Sequence, residues 1–330
     1  MLGCSVAVLT PVDDDEIRVL LDAYGLGSLR AREGIAAGSV NSNFAVESSA
    51  GRVFLRLYEE QALAGAKKET AMLGRLARAG VPTPAPLRRL DGELVSVVRG
   101  KPAAIFPWKD GTIRCQASVA VQDAWRVGEA LAQVHVAGRT EAIEGGRFRF
   151  EDLVVRLDRI EGSDDARFVG LAPALRAALA RIHAARDREL PQGLIHSDLF
   201  RDNVLWKRGG RIAALLDFES ACRGTYAYDL MVTMLSWCFG DDLEPRLSTA
   251  MREGYESVRK LSEAEKNGLY VEGAFGALRF AITRITDYAM RTSTDGPRVI
   301  KDWRRFMKRF DKLESLGVQG TQEALFPRRG

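Results

Sequence analysis

The segment HSDLFRDN at 196–203, followed after a short apolar interval by LLDFE at 215–219, constrains this 330-residue chain more than any other feature. VLWK (204–207) and RIAALLDF (211–218) are apolar runs separated by Arg208, Gly209 and Gly210, a pattern that predicts a β-hairpin. Such a hairpin sets Asn203 at the start of its first strand and Asp217 near the end of its second. Both ends of the ribbon then meet beside the loop that carries Asp198. Phosphoryl transfer needs one carboxylate near the acceptor hydroxyl, with an amide and a second carboxylate on magnesium. The spacing therefore points to Asp198 as base and to Asn203 and Asp217 as magnesium ligands. A lone HxD is an ordinary loop pattern, whereas the full motif in strand context is a phosphotransferase signal. His196 is read as a brace that holds the loop by hydrogen bonds.

Composition admits such an enzyme. With 46% apolar and 28% charged residues the chain can bury a large core, and its length suits two lobes. The net charge of +4 is dispersed except in KDWRRFMKRFDK (301–312), where Trp303, Phe306, Met307 and Phe310 recur at helical spacing. That pattern predicts an amphipathic closing helix, not a nucleic-acid or membrane contact. The four cysteines, at 4, 115, 222 and 238, form no CxxC pair and no zinc-ligand spacing with the three histidines. MLGC at the start has no charged and apolar leader before Cys4, and no apolar run approaches the roughly 18 residues of a spanning helix. A soluble, cytoplasmic protein is expected, with its oligomeric state left open.

Residues 13–24 open with acids and continue at helical spacing to Gly25, predicting a first helix. Short strands follow over 27–58, with a turn at Ser48–Gly51. A helix over 66–79 ends at VPTPAP (81–86), and two or three strands run to about Phe106. FPWKDG (106–111) marks a hinge, and beyond about residue 118 the chain reads as helical apart from the hairpin. The fold class expected is α+β. A small antiparallel-sheet N-lobe spans 1–107 and binds nucleotide, and a mainly helical C-lobe spans 108–330 and carries catalysis and substrate binding.

This order of elements resembles the bilobal protein-kinase-like fold. It is most similar to the small-molecule branch that holds choline kinases, aminoglycoside phosphotransferases and one class of homoserine kinases. SVNSNFAVESSAGRVFLRLYE (39–59), GVPTPAPL (80–87) and GKPAAIFPWKDG (100–111) look like the homoserine kinases. So do DFESACRGTYAYDLMVTMLSWC (217–238), GYESVRKLSEAE (254–265) and GALRFAITRITD (276–287). The resemblance implies ATP and Mg2+ as cofactors and a primary alcohol as acceptor. L-homoserine is the acceptor implied. Choline, ethanolamine, aminoglycosides, hydroxylysine and other amino alcohols are the alternatives, and a non-catalytic kinase-like binding protein is a reading of a different class.

Ser39, Asn41, Ser42 and Asn43 lie in a turn of small polar residues that can offer backbone N–H groups to phosphate, or be an ordinary hairpin turn. By resemblance, Arg56 takes the place of the strand lysine of protein kinases and Glu69 that of its helix partner, with Lys67 and Lys68 as substitutes for the cation. AAIFPW (103–108) is placed at adenine, with Phe106 and Trp108 either on the base or in the core. On the acceptor side, Asp229 caps a helix, braces the catalytic loop or touches substrate, and Glu219 can attract an ammonium group. Arg279, Thr283 and Asp287 share a helix face with Arg284 beside them. That face reads an amino acid's carboxylate and ammonium, or is a solvated ion-pair stripe. An Asp198 of ordinary pKa suffices for catalysis by positioning.

Overall fold

Phe44 and Val46, then Val53, Leu55 and Leu57, then Ala103 and Ile105 alternate along three extended segments, so they share one sheet face, and all are buried in a single core. The computed structural model describes residues 9–35, 41–290 and 301–327. Its strands β1 (Leu29–Gly34), β2 (Ser42–Ser48), β3 (Gly51–Leu57), β4 (Ser96–Val98) and β5 (Lys101–Pro107) form one sheet in the order β1-β2-β3-β5-β4. Every neighbouring pair is antiparallel. Helix α1 (Asp14–Ala23) adds Ile17, Leu20 and Leu21 to the core. Its start is set by a capping box: Asp13 accepts from the Glu16 amide, and Glu16 accepts from the Asp13 amide, both at 2.9 Å. Helix α2 (Leu63–Arg78) begins before the expected residue 66.

The chain divides into two units, Met1–Gly111 with Ala213–Leu216, and Thr112–Ile212 with Asp217–Gly330. The break falls beyond the boundary drawn after residue 107, and a short later segment joins the first unit, where the Leu215 amide donates to Pro82 O at 2.6 Å. In the second unit lie α3 (Val121–Ala137), α4 (Phe150–Glu161), α5 (Leu171–Ala184) and β6 (Gln192–Ile195). The expected hairpin is β7 (Val204–Trp206) with β8 (Ile212–Leu215). There follow β9 (Cys222–Thr225), α6 (Tyr226–Trp237), α7 (Pro245–Val258) and α8 (Glu263–Arg284), which runs into a π-helical turn at Ile285–Ala289. The closing helix α9 (Arg304–Leu325) runs well past the 312 expected, with its backbone interrupted at Gly317 (φ 61°). One ribbon went unanticipated: β6 pairs antiparallel with β9, Gly193 facing Gly224. Two glycines and no alternation leave such short strands without a sequence signature.

Helices α3 and α7 approach backbone to backbone. A Cβ on Gly128 would collide with the Met251 carbonyl oxygen, and one on Gly254 with that of Trp125. The approach matters because α3 carries His135 and α7 carries Tyr255, two side chains that hydrogen-bond to each other. Neither neighbour is a flexible side-chain end, so accommodation requires the helices to separate. We predict that Gly254→Ala destabilises the protein by about 3 kcal/mol, at the upper end of overpacking costs, read as a lower urea midpoint at unchanged slope.

Candidate active site

The two-stranded ribbon β6–β9 delivers the chain to His196, Ser197 and Asp198. Ser197 turns left-handed (φ 66°), as does Asp217 (φ 59°) where the chain leaves β8. Non-glycine residues hold this conformation only when their surroundings impose it. Around Ser197 the imposing group is Asp229, which is fully buried in the first turn of α6. Its carboxylate accepts from the His196 amide and the Ser197 amide, both at 2.7 Å. His135 Nε2 donates to Asp229 Oδ2 at 2.9 Å. A carboxylate only accepts, so Nε2 carries the proton and Nδ1 accepts from the Tyr255 hydroxyl, 2.7 Å away. Arg259 donates to the Tyr255 oxygen at 3.1 Å and pairs with Glu265 at 2.8 Å.

Asp229 is therefore a brace and not a substrate contact, and capping of α6 falls to Thr225, whose hydroxyl accepts from Tyr228 N. Burial pushes the Asp229 carboxyl up, but the hydrogen bonds from His135 and the His196 amide more than offset this and hold it below the usual range. Burial keeps His135 neutral despite the neighbouring carboxylate. His196 is fully buried, packs on Phe218 at 4.5 Å and accepts from the Asp198 amide at 3.3 Å. The loop is closed from the far side: Asn203 Nδ2 donates to Asp198 O at 2.8 Å, and Trp237 Nε1 donates to Leu199 O at 2.9 Å.

Burial raises the Asp198 carboxyl to about 7. Arg279 and Lys301 oppose that rise, and the charges of Asp217 and Asp202 add to it. An ordinary pKa was expected, and the neighbouring acids together with partial exclusion of water explain the difference. Asn203 commits its amide nitrogen to Asp198 O, which leaves its side-chain oxygen as the atom able to meet a cation. An amide oxygen and a carboxylate suit magnesium, which takes few protein ligands and retains water and phosphate oxygens. Asn203 and Asp217 fit that ion.

The acceptor-side candidates separate clearly. Arg279 is 3% exposed on α8, with its guanidinium 3.9 Å from the centre of the Phe148 ring and 3.7 Å from that of Phe280. Its Nε has no hydrogen-bond partner, and among the described residues no carboxylate pairs with it. Arg284 instead donates to Asp302 O at 3.1 Å and stacks on Phe306. Asp287 lies in the π-helical turn and is held by Arg156 of α4, so it is a structural ion pair and not an ammonium site. Thr283 donates to Phe280 O. Glu219 lies 3.6 Å from Arg147. Trp237 and Cys238 are buried core residues. Arg279 and Arg284 both lie near the charge of Asp198 without a carboxylate partner among the described residues, and they differ in that Arg284 is engaged by a backbone carbonyl.

In the first unit, Arg56 Nη1 lies 3.7 Å from Glu69 Oε1. Glu69 also accepts from Gln61 at 2.8 Å and from Tyr58 at 3.3 Å, so its carboxylate is fixed. Asn43 Oδ1 accepts from Arg56 Nε at 3.4 Å, and Asn41 Oδ1 accepts from the Glu59 amide at 3.2 Å. Ser42 is fully buried: its hydroxyl donates to Glu59 and accepts from the Leu9 and Thr10 amides. That side chain is structural, whereas the reading of the turn as a phosphate contact concerns its backbone N–H groups. Ser39 lies outside the described residues. Phe106 is buried with its ring 6.2 Å from that of Phe54, and Trp108 lies under Arg52 and donates to Asp110.

The profile of the phosphotransferase enzyme family, APH, matches residues 32–263. The chain belongs to this family. It is a phosphotransferase acting on a hydroxyl group, and its relatives within the family include homoserine kinases. That of Sinorhizobium fredii is 36% identical over 307 residues, covering 90% of each chain. That of Methylocella silvestris is 37% identical over 332 residues, covering 97% of this chain and 99% of the relative. Solved structures share the fold at low identity. Amicoumacin kinase in complex with AMP-PNP, Ca2+ and Ami has a TM-score of 0.69 at 14% identity, covering 92% of this chain and 95% of that one. A microcompartment-associated aminopropanol kinase has a TM-score of 0.57 at 17% identity, covering 94% and 95%. The α+β kinase-like fold read from the sequence is the one found. No helix among the described residues is long and apolar enough to cross a membrane.

Residues that went unread in the sequence are His135, Tyr255, Arg259 and Glu265, which brace the loop, and Phe148, which covers Arg279. A helical histidine amid apolar neighbours gives no sign of a partner 94 residues away. We predict that Asp229→Asn, which cannot accept from both amides and His135 at once, costs about 3–5 kcal/mol of stability and lowers kcat about a hundredfold. Urea unfolding and steady-state kinetics on the folded fraction read the two effects.

Proposed function

We propose that this enzyme transfers the γ-phosphoryl group of ATP to the hydroxyl of L-homoserine, giving O-phospho-L-homoserine. The observation that carries the acceptor is Arg279. A buried guanidinium flanked by two aromatic rings, with its charge reaching Asp198 and no protein carboxylate on it, is suited to the carboxylate of an amino acid. Choline, ethanolamine and aminoglycosides have no such group. The kinships to homoserine kinases support the same reading.

Asp198 orients the hydroxyl and takes its proton as the bond to phosphorus forms. Its pKa of about 7 makes it a better proton acceptor than an exposed aspartate while leaving much of it ionised at neutral pH. Asn203 and Asp217 hold Mg2+, which neutralises charge on the transferring phosphates. Arg56, aimed by Glu69, supports those phosphates, and the bulk of the rate comes from positioning and charge neutralisation.

Two outcomes are expected. Asp198→Asn abolishes turnover while ATP still binds by calorimetry, and near-normal turnover would remove Asp198 from the role of base. In a panel of amino alcohols L-homoserine is the best acceptor. Arg279→Met raises its KM about thirtyfold to several thousandfold, the loss expected when a buried charge pair is broken, with the ATP KM unchanged. Because the unliganded protein carries this charge unpaired, the same substitution leaves thermal stability equal or higher. A preference for choline, or homoserine kinetics indifferent to Arg279→Met, would reject the acceptor.

A further inference from the structure

Four arginines of the second unit gather where the catalytic loop, the end of α8 and the start of α9 meet. Arg201 belongs to the loop itself, two residues before Asn203, and donates to Ser236 O. Arg309 of α9 is 4% exposed and donates to Leu235 O at 2.6 Å and to Phe239 O at 3.3 Å. Both thus cap the carboxyl end of α6, which has no basic residue in its own last turn. A helix end carries about half a negative charge, against two full positive ones. Arg284 and Arg309 stack on one ring, that of Phe306, at 4.4 and 4.9 Å, and Arg309 also donates to the carbonyl of Arg305. Arg305 is exposed in the first turn of α9, where the helix dipole adds further positive potential. That turn has no acidic residue and no side-chain cap.

Burial and the neighbouring charges act on these groups together. Burial lowers Arg284 to about 10 and Arg309 to about 9, with the charge of Arg305 adding to both. The acidic groups facing them are few. Asp198 and Tyr288 act on Arg284, and Asp202 and Cys115 act on Arg201. The Asp302 side chain is engaged with Arg304. Among the described residues no carboxylate forms an ion pair with any of the four.

We infer that Arg201, Arg284, Arg305 and Arg309 form a binding site for a phosphate-type oxyanion, inorganic phosphate or a phosphate monoester, beside the catalytic loop and separate from Arg279. Guanidinium groups present paired N–H donors to such an oxyanion, and one bound dianion offsets the excess charge of the cluster. The inference does not depend on which alcohol the enzyme phosphorylates.

Thermal unfolding of the whole protein tests it, with sodium phosphate titrated against sodium chloride at equal ionic strength. Wild type is expected to show a saturable rise in Tm of about 3 °C or more in phosphate. Arg305→Gln should unfold at the same or higher temperature in chloride, through relief of repulsion, and lose the phosphate response, whereas Arg305→Lys should retain most of it. A second titration with O-phospho-L-homoserine separates the sources: half-saturation at lower concentration than phosphate assigns the site to the phosphorylated product, and the reverse order to free phosphate. A wild-type Tm indifferent to both anions overturns the site. So does an undiminished response in Arg305→Gln, which would place the anion elsewhere.

Discussion

The Asp229 carboxylate is the interaction on which the rest of the second unit depends. It lies in the first turn of a fully buried helix and accepts from two successive amides and an imidazole. Ser197 can occupy a left-handed conformation because its N–H is held there, and Asp198 is aimed by that turn. The imidazole is in turn held by Tyr255, Arg259 and Glu265, so a chain of polar groups ending in a buried ion pair supports a single backbone bend. Charge-assisted hydrogen bonds of this kind are among the stronger ones a protein makes, and each member left alone would carry a desolvation cost.

That chain can form because α3 and α7 are packed more closely than side chains normally permit. Gly128 and Gly254 face carbonyl oxygens on the opposite helix. The same approach brings His135 and Tyr255 to hydrogen-bonding distance. Packing and site geometry are thus one constraint, expressed at glycine positions remote from the reacting atoms.

Charge around the loop follows a different rule. Several charged groups of the second unit are paired, including Asp287 with Arg156, Glu219 with Arg147 and Glu272 with Arg186. Arg279 and the four-arginine cluster depart from it. Unpaired buried cations cost stability, and an enzyme that binds anions recovers that cost when the ligand arrives. The elevated Asp198 pKa belongs to the same arrangement, since burial and neighbouring acids raise it while Arg279 restrains the rise.

The sequence by itself determined whatever is encoded within a few residues. Alternation in β2, β3 and β5 marked the first core, and Asp13 and Glu16 marked the start of α1. The spacing from Asp198 to Asn203 to Asp217, with two glycines between apolar runs, marked the hairpin and the phosphotransferase chemistry. These signals are local because periodicity, capping and turn conformation are local. Only the tertiary structure set Arg279 between two aromatic rings and Arg284 on a backbone carbonyl, chose the brace among the roles open to Asp229, gave Asp287 to Arg156 and committed Ser42 to Glu59. It also supplied the β6–β9 ribbon, whose glycines carry no pattern. The physical reason is that a charged side chain's role depends on whether folding gives it a partner and takes away its water. Both depend on residues far off in the chain, such as His135 and Asp229.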